Sequence, residues 1–297
     1  MAHRHLARPA RAALAAIFLV ALIYGTKAPG HTAAHASMAR LRPPPALAAG
    51  DADRDGIPDA LEAALAARFA PIVVLDARDR TRPASIPWLL ARFGSPAAAR
   101  DGLPAALRPG SGDPRDWVTY VHVYPRSDGG INVQYWFFYA YNESLLFFDH
   151  DADWEHITVV VGSDGNPRGV AFAHHTNSTH GDLRPWSEIR AVGEHPVVLS
   201  ALGTHASYPN QDAVGWLDRV SGCAQVEGCA DPIWRTWQAG GLVNVGERDA
   251  IVGSAGVRAA LAYAGRWGGQ GHFPRSRPSP PGPLHQGGFV VDGLQND

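Results

Sequence analysis

Eight residues near the middle of the chain carry its densest set of side chains that could do chemistry. They run Asp149-His-Asp-Ala-Asp-Trp-Glu-His156 and lead straight into the apolar segment 157–161. In a strand that begins at Asp153, the carboxylates of Asp153 and Glu155 share one face and lie about 7 Å apart. Such a pair can bind one cation, which His150 from the preceding turn can also reach. We therefore predict a divalent-cation site of His150, Asp153 and Glu155; this mixed ligand set suits Mg²⁺, Ca²⁺ or Mn²⁺ and admits Zn²⁺. The alternative is that no metal binds and that these residues form the polar start of a strand, with solvated carboxylates.

Two further histidines follow other apolar segments and are candidate residues of the same cleft. His174 lies near the end of segment 169–175, and His205 follows segment 196–202. Strand ends of a β-sandwich meet at one edge, so both side chains could face the predicted cation. A histidine beside a strand is, however, more often a hydrogen-bonded structural residue than a ligand. Both interpretations stay open for His205, and the structural one is favoured for His175.

A second acidic cluster has the spacing of a calcium loop. Counted from Asp51, acidic residues stand at positions 1, 3, 5, 9 and 12 and a glycine stands at position 6, which is the pattern of an EF-hand loop. Alternate carboxylates wrap a large, hard cation, and the glycine permits the sharp turn. We predict Ca²⁺ here, held by Asp51, Asp53, Asp55, the carbonyl of Ile57, Asp59 and Glu62. An acidic helix N-terminus without a metal is the alternative.

Only half of an EF-hand is present, because just the helix that leaves the loop is visible in the sequence. Residues 58–69 are rich in alanine and leucine and place Leu61, Leu65 and Phe69 on one face. The preceding Pro-rich stretch, residues 42–45, cannot form the entering helix. A lone half-hand has no partner helix to move, so we expect a stabilising site rather than a calcium sensor.

The first 36 residues have the pattern of an export signal. Basic residues precede an apolar run at 12–25, and Ala34-His-Ala36 offers a cleavage site. The run is short for a membrane span, so we expect cleavage, with an uncleaved N-terminal anchor as the alternative. In both cases the protein is expected to be secreted or extracytoplasmic. Residues 37–50 form a Pro-rich linker in this interpretation.

Residues 70–297 have the pattern of a β-sandwich domain. Short β-branched and aromatic segments alternate with turn signals such as Ser127-Asp-Gly-Gly130. The expected strands lie at 71–75, 117–124, 131–139, 153–161, 169–175 and 196–202, and the tail from about residue 266 is expected to be irregular. We predict a mainly β fold: an antiparallel β-sandwich with peripheral helices, preceded by the half EF-hand calcium loop and helix of residues 51–69.

Composition and cysteine spacing add two expectations. A net charge of −2, from 26 basic and 28 acidic residues, gives no support to a nucleic-acid partner. Cys223 and Cys229 are the only two cysteines and bracket five residues. A local disulfide can close this spacing in the oxidising compartment that the export signal implies.

Three motifs of the β-domain occur in a fixed order: Asp153-Trp-Glu-His156, Gly203-Thr-His-Ala-Ser-Tyr-Pro209 and Gly265-Arg-Trp-Gly268. Together they resemble the vacuolar protein sorting-associated protein 62 family over roughly residues 65–285. This resemblance implies a shared fold and the position of a functional site, but it does not imply a particular reaction. The stretch 51–59 resembles thrombospondin type 3 calcium repeats, which again implies Ca²⁺.

Segment 149–155 also resembles, more distantly, the G-H-R-H-D-W-E motif of the necrosis-inducing (Nep1-like) proteins, which are secreted cytolysins with a β-sandwich fold. In that family a divalent cation is held by the first His, the Asp and the Glu of the motif and by an upstream Asp. The resemblance assigns the first three of these roles to His150, Asp153 and Glu155. The upstream position falls near Asn142, so one carboxylate is missing, and the motif's Arg and second His are also replaced. These departures are compatible with a metal site and weaken the case for cytolytic activity.

The function expected from these features is cation-dependent binding of a glycan or a membrane lipid head group at a cell surface. Aromatic residues could line the cleft, namely Tyr135, Trp136 and Tyr208, although most tryptophan and tyrosine side chains of the domain are expected to lie in the core. One alternative is that both cations are purely structural. The other is a metal-dependent hydrolase of phosphoester or glycan substrates, with Glu155, His174 or His205 as general base. No nucleophile elbow, P-loop or H-E-x-x-H motif supports the hydrolase, so we lean against an enzyme.

Overall fold

The apolar segments of the chain form two β-sheets that pack face to face. The computed structural model describes residues 50–144, 148–175, 182–216, 218–223, 225–270 and 276–289. The predicted export signal lies outside the described residues, as does the predicted linker apart from Gly50.

Fourteen strands and three α-helices, among the residues described, follow one another along the chain. The strands are β1 (Ile72–Val74), β2 (Pro83–Ala84), β3 (Thr119–Pro125), β4 (Ile131–Asn142), β5 (His150–Val161), β6 (Pro167–Phe172), β7 (Asp182–Pro185), β8 (Ala191–Val192), β9 (His195–Ser200), β10 (Ser207–Tyr208), β11 (Ile233–Arg235), β12 (Leu242–Asn244), β13 (Gly246–Glu247) and β14 (Ala250–Ile251). The helices are α1 (Asp59–Arg68), α2 (Ile86–Phe93) and α3 (Ala255–Leu261). Within this part of the chain, no helix is both long and apolar enough to pass through a membrane.

The larger sheet has seven strands in the order β12-β3-β4-β5-β6-β7, and β2 also pairs with β4. The smaller sheet has the order β10-β9-β1-β11, and β8 pairs with β9. Most neighbours are antiparallel, but β1 pairs with β9 and β12 pairs with β3 in parallel. Parallel partners need long crossover connections, which the sequence pattern does not reveal. The predicted mainly β sandwich with peripheral helices is confirmed.

The space between the two sheets is filled by the main hydrophobic core. The larger sheet contributes buried residues from β3 to β6, such as Phe137, Ile157 and Phe172, and the smaller sheet contributes Val73 and Val198. Residues of β5 with odd numbers from 157 to 161 all belong to this core. The period of two along a strand therefore also directs Asp153 and Glu155 towards the interior between the sheets.

The opposite face of the larger sheet is covered by α2, α3 and the C-terminal residues. Trp154 of β5 packs edge-on against Tyr120 at 5.5 Å and against Trp267 at 5.3 Å between ring centroids. Leu284 and Phe289 lie in the same buried cluster. The predicted irregular tail is thus part of the core, and β5 is buried on both of its faces.

Helix α1 begins close to the predicted position, but its buried face differs from the predicted one. Leu65 and Phe69 are buried as expected, whereas Leu61 is 43% exposed. Glu62 is 1% exposed instead. The helix is rotated because Glu62 turns towards the acidic loop and hydrogen-bonds to Asn244.

Candidate metal sites

The backbone of residues 51–57 coils as the calcium-loop spacing predicts. Asp51 accepts hydrogen bonds from the backbone N–H groups of Arg54 (2.7 Å) and Gly56 (3.1 Å). Asp55 accepts one from the N–H of Ile57 at 2.6 Å. Gly56 has a φ of 94°, in the left-handed region that glycine adopts most easily. These bonds turn the side chains of the loop inward.

Three carboxylates of this loop converge, and one of them has no hydrogen-bond donor. Ligand oxygens of Asp51, Asp53 and Asp55 lie within 4.8 Å of one another. Asp53 is 3% exposed, and neither of its carboxylate oxygens has a hydrogen-bond partner. Oε1 of the buried Glu62 has no partner either. A buried carboxylate without a partner is strongly disfavoured, so these residues could hold a cation.

Burial and mutual repulsion raise the pKa values of these carboxyl groups. Burial is the largest cause for each, and it raises the pKa of Asp53 to about 7, of Asp55 to about 6 and of Glu62 to about 8. The negative charges of neighbouring carboxylates add to the effect. A bound divalent cation would reverse it, because positive charge favours the ionised form.

The remaining predicted ligands of the loop lie beside this cluster. Asp59 accepts a hydrogen bond from the N–H of Ala52 at 2.8 Å, which ties the start of α1 to the start of the loop. Ile57 places its side chain in the main core and so anchors the loop to the sandwich. All six predicted positions thus belong to one compact turn and helix start.

The second predicted site lies where β5 begins, and its geometry depends on Ala152. Ala152 has a φ of 52°, an arrangement that costs a non-glycine residue about 1–2 kcal/mol. This turn reverses the alternation of side chains. Asp151 Oδ2 accepts hydrogen bonds from Leu103 and Gly269 on the helical side, whereas His150 Nε2 lies 4.0 Å from Asp153 Oδ1. The strain therefore brings His150 to the same face as Asp153.

Asp153 is hydrogen-bonded to His205 in the interior of the sandwich. His205 Nδ1 lies 2.8 Å from Asp153 Oδ2, and its Nε2 lies 3.5 Å from Asp79 Oδ2. Tyr139 stacks on the imidazole at 3.9 Å. His205 is 1% exposed, and its Nε2 has no hydrogen-bond partner. A carboxylate on one ring nitrogen fixes the tautomer and leaves the other nitrogen free for a metal or a proton.

Glu155 completes a concentration of negative charge next to this pair. It lies two residues after Asp153 on the same face of β5 and is partly exposed. Burial raises its pKa well above the ordinary value, and the carboxylates of Asp153 and Asp218 raise it further. Asp218 comes from a loop far along the chain, so the site draws on more than one segment.

Asp218 is the most heavily hydrogen-bonded carboxylate of the site. Its buried side chain accepts bonds from His175 Nε2 (2.5 Å), Tyr208 Oη (2.6 Å) and Thr204 Oγ1 (2.7 Å). Burial on its own would raise the pKa of Asp218, but these donors outweigh it and leave the pKa lowered. The same bond raises the pKa of His175.

His174 lies beside this network rather than in it. Its ring stacks on Tyr208 at 4.7 Å between centroids. Burial lowers its pKa, and its Nε2 has no hydrogen-bond partner. Burial therefore disfavours the charged form of this imidazole at the edge of the cluster.

An exposed tryptophan stands on the turn that Asp218 anchors. The N–H of Asp218 donates to the carbonyl of Gly215 at 3.1 Å, which closes the turn around Trp216. Trp216 is 73% exposed, against 43% for Leu61 and 39% for Val192, the other exposed large hydrophobic residues among those described. The fold thus holds an indole in solvent next to a buried polar network.

The structure changes the membership of the predicted second site. Two clusters of three potential ligands within 4.8 Å occur in the described parts of the chain, and the trio of His150, Asp153 and Glu155 is not one of them. The partner of Asp153 is His205, which the sequence placed among candidate cleft residues. Asn142 donates to the carbonyl of Phe148 at 3.1 Å.

Several residues of this site escaped the sequence analysis. Asp79 and Asp218 lie in loops without any recognisable spacing, and His175 was assigned a structural role. The only signal was the motif at 203–209, which contains Thr204 and Tyr208. Tyr135 and Trp136 do not line a cleft, because both are fully buried in the two cores, where most aromatic residues of the domain were expected.

The predicted disulfide is confirmed. Cys223 and Cys229 are bonded across a separation of six residues. The two cysteines and Asp231 form the other cluster of potential ligands, but sulfurs in a disulfide are not thiolates and do not bind a metal. The bridge closes the loop that follows Trp216.

Comparisons with known proteins give remote structural neighbours. The sequence matches no protein-family model and no curated protein, so the resemblance to the vacuolar protein sorting-associated protein 62 family stays a prediction. Among solved structures, the chain is similar to Necrosis and Ethylene inducing Protein 2 from the causal agent of cocoa's witches' broom disease, with 20% identity, a TM-score of 0.38, and coverage of 66% of this chain and 78% of that one. It is also similar to NLPPya in complex with mannosamine (17% identity, TM-score 0.38, 71% and 80% coverage) and with glucosamine (17% identity, TM-score 0.39, 71% and 80% coverage). These neighbours are of the necrosis-inducing kind, at low identity to this chain.

Proposed function

We propose that this protein is exported and binds Ca²⁺ at residues 51–62. We further propose that it uses a second divalent cation at the start of β5 to bind the hydroxyl groups of a glycan. The observation that carries the proposal is the contact of two histidines with one carboxylate: His205 Nδ1 lies 2.8 Å from Asp153 Oδ2 and His150 Nε2 lies 4.0 Å from Asp153 Oδ1. Glu155 follows on the same face of the strand, and the negative charges of Asp153 and Asp218 raise its pKa. Carboxylates that repel one another at close range are stabilised by a shared cation.

The histidines favour a metal at this site over plain ion pairs. Asp153 orients His205, whose buried Nε2 makes no hydrogen bond and lies 3.5 Å from Asp79 Oδ2. Asp218 orients His175, whose side chain is 39% exposed. A carboxylate behind an imidazole is the arrangement that protein metal sites commonly use to fix a histidine ligand. Mg²⁺, Ca²⁺ and Mn²⁺ suit the oxygen-rich ligand set.

The neighbouring indole favours a sugar as the ligand. Trp216 is the most exposed of the large apolar side chains that the structure describes, and one indole offers much less apolar surface than the patches of a few hundred Å² that mark protein or membrane contacts. An aromatic ring beside a few polar groups is a common arrangement of small-ligand sites. A pyranose matches this arrangement, because its apolar face can stack on the indole and its hydroxyl groups can bind the cation.

Binding to immobilised glycans with and without a chelator tests the proposal. We expect wild-type protein to be retained on a subset of glycans, free or lipid-linked, to be released by EDTA, and to be restored by Mg²⁺, Ca²⁺ or Mn²⁺. Asp153→Ala/Glu155→Ala should abolish retention. Glu188→Ala/Glu227→Ala removes two acidic residues from exposed positions and should retain binding.

Two results would contradict this function. One is retention of the Asp153→Ala/Glu155→Ala variant equal to that of wild type. The other is an absence of metal-dependent retention across a broad glycan panel.

A further inference from the structure

Two exposed arginines lie beside Asp149, the residue that precedes His150 at the second site. The backbone N–H of Arg277 donates to the carbonyl oxygen of Asp149 at 2.8 Å. The Asp149 carboxylate accepts a hydrogen bond from Tyr141 Oη at 3.3 Å. The guanidinium carbon of Arg108 lies 4.2 Å from the centre of the Tyr141 ring. One arginine is therefore connected to Asp149 through its backbone and the other through an aromatic ring.

The side chain of Arg277 is held over the neighbouring Phe148. Its guanidinium carbon lies 3.9 Å from the centre of that ring. Phe148 has a φ of 93°, which is unfavourable for a non-glycine residue and persists only where the surroundings fix it. The carbonyl of Phe148 accepts a hydrogen bond from Asn142 at 3.1 Å, and Asn142 pairs with His150 in the β4–β5 register. The strained backbone thus places the ring and the guanidinium beside the start of β5.

These two guanidinium groups differ from the others that stack on aromatic rings. Five such arginines occur in the described parts of the chain. Arg68, Arg92 and Arg248 also donate side-chain hydrogen bonds. Arg108 and Arg277 are exposed and form no side-chain hydrogen bond or ion pair with any described residue. Their N–H donors are therefore available to a ligand.

Stacking prepares a guanidinium to bind an oxyanion. An aromatic ring beneath the group orders a flexible side chain and leaves the planar edge, with its N–H donors, facing outward. This edge matches two oxygens of a carboxylate, sulfate or phosphate group. The Asp149 carboxylate does not occupy it, because Asp149 accepts instead from the N–H of Ser144 at 2.8 Å and from Tyr141.

The charge of Arg277 also extends to the polar network of the site. The hydrogen bond to Asp218 raises the pKa of His175, and the positive charge of Arg277 opposes that rise. The guanidinium is thus close to the histidine that Asp218 orients, in agreement with its contact with the backbone of Asp149.

We infer that the glycan bound at the second site is anionic, and that Arg277, with Arg108 beside it, holds a carboxylate, sulfate or phosphate group on the sugar. The inference rests on the proposed glycan binding and adds the charge of the ligand to it. The cation would bind hydroxyl oxygens while the arginines bind the oxyanion. Contacts at two separate points fix the orientation of a sugar, which a single cation does not.

Retention on matched immobilised sugars tests the inference. The probes are oligomers of glucose, galactose or mannose that carry a hydroxyl, a carboxylate, a sulfate or a phosphate at C6. With Ca²⁺ and Mg²⁺ present, we expect wild type to bind anionic members at least about tenfold more tightly than the neutral ones. This preference should decrease as the salt concentration rises. The three anionic forms identify which oxyanion the arginines accept.

Arg108→Ala/Arg277→Ala should weaken binding to the anionic sugars at least about tenfold and leave binding to the neutral sugars unchanged. Arg235→Ala/Arg258→Ala is the matched control, because it removes two exposed arginines from β11 and α3, and it should behave as wild type. If the first variant does not fold, Arg277→Gln keeps a planar side-chain end and removes the charge, and it should show the same selective loss.

Two results would overturn the inference while leaving the proposed function intact. One is equal retention of wild type on the neutral and anionic members of each pair. The other is equal affinity of wild type and the arginine variants for the anionic sugars. Retention that is independent of divalent cations across the whole panel would instead overturn the proposed function, and the inference with it.

Discussion

Carboxylates occur in two opposite environments in this protein. Asp218 is buried and fully hydrogen-bonded, with donors from His175, Tyr208 and Thr204, so it organises structure. Asp53 is equally buried but has no donor on either oxygen. The same residue type is therefore structural where donors are present and a candidate ligand where they are absent.

Trp216 provides the prediction at the scale of one residue. Trp216→Ala should weaken glycan retention at least about tenfold, a loss of about 1.4 kcal/mol, because the indole face is the proposed sugar contact. Its melting temperature should stay within about 2 °C of wild type, because substitution of an exposed side chain away from the core changes stability little. Retention assays and thermal melts on the same preparations measure both.

Val192→Ala is the control for this substitution, because it removes another exposed apolar side chain on a different strand. It should behave as wild type in both assays. Undiminished retention by Trp216→Ala, on glycans that wild type binds, would remove the indole from the site.

At the scale of an element, the carboxyl groups shared by the loop at 51–57 and helix α1 predict how stability depends on pH. In protein stripped of divalent cations, the free energy of unfolding should fall by at least about 1.4 kcal/mol between pH 5 and pH 8. Asp53, Asp55 and Glu62 have folded pKa values of about 7, about 6 and about 8, above the unfolded values of about 4. Their protons stabilise the fold fully below the unfolded pKa, and this stabilisation is lost as pH rises through the folded values.

Urea denaturation in EDTA, for wild type and Asp53→Asn/Glu62→Gln, isolates this contribution. The difference between the two profiles cancels other groups such as His156, whose pKa burial lowers to about 3. Saturating Ca²⁺ should remove the decline, because the ion takes the place of the protons. Parallel profiles for the two proteins in EDTA would contradict the account of the loop.

Element patterns explain which parts of the structure were predictable. The loop at 51–62, the long strands of the larger sheet and the disulfide follow from local spacing, so the sequence predicts them. Residues contributed by loops were missed, because Asp79 and Asp218 carry no periodic pattern. The left-handed Ala152 was also invisible, because alanine does not favour that conformation, yet it decides where His150 points.

Two candidate cation sites occupy different places on the same sandwich. The loop of residues 51–62 lies against Asn244 and Gly246, whereas the second site lies where β5 meets the loops after β9. Each is built by segments that are distant in the chain, so each cation would hold the fold together as well as serve its own site. The account of the whole molecule therefore depends on the number of cations bound.

Metal content of the purified protein tests this central claim most directly. Equilibrium dialysis against Ca²⁺ and Mg²⁺, followed by elemental analysis, should give two equivalents for wild type. Asp51→Ala/Asp53→Ala and Asp153→Ala/Glu155→Ala should each lose one equivalent and keep the other. If the second variant binds as much metal as wild type, the residues at the start of β5 form a polar strand entrance and the proposed metal-dependent function is wrong.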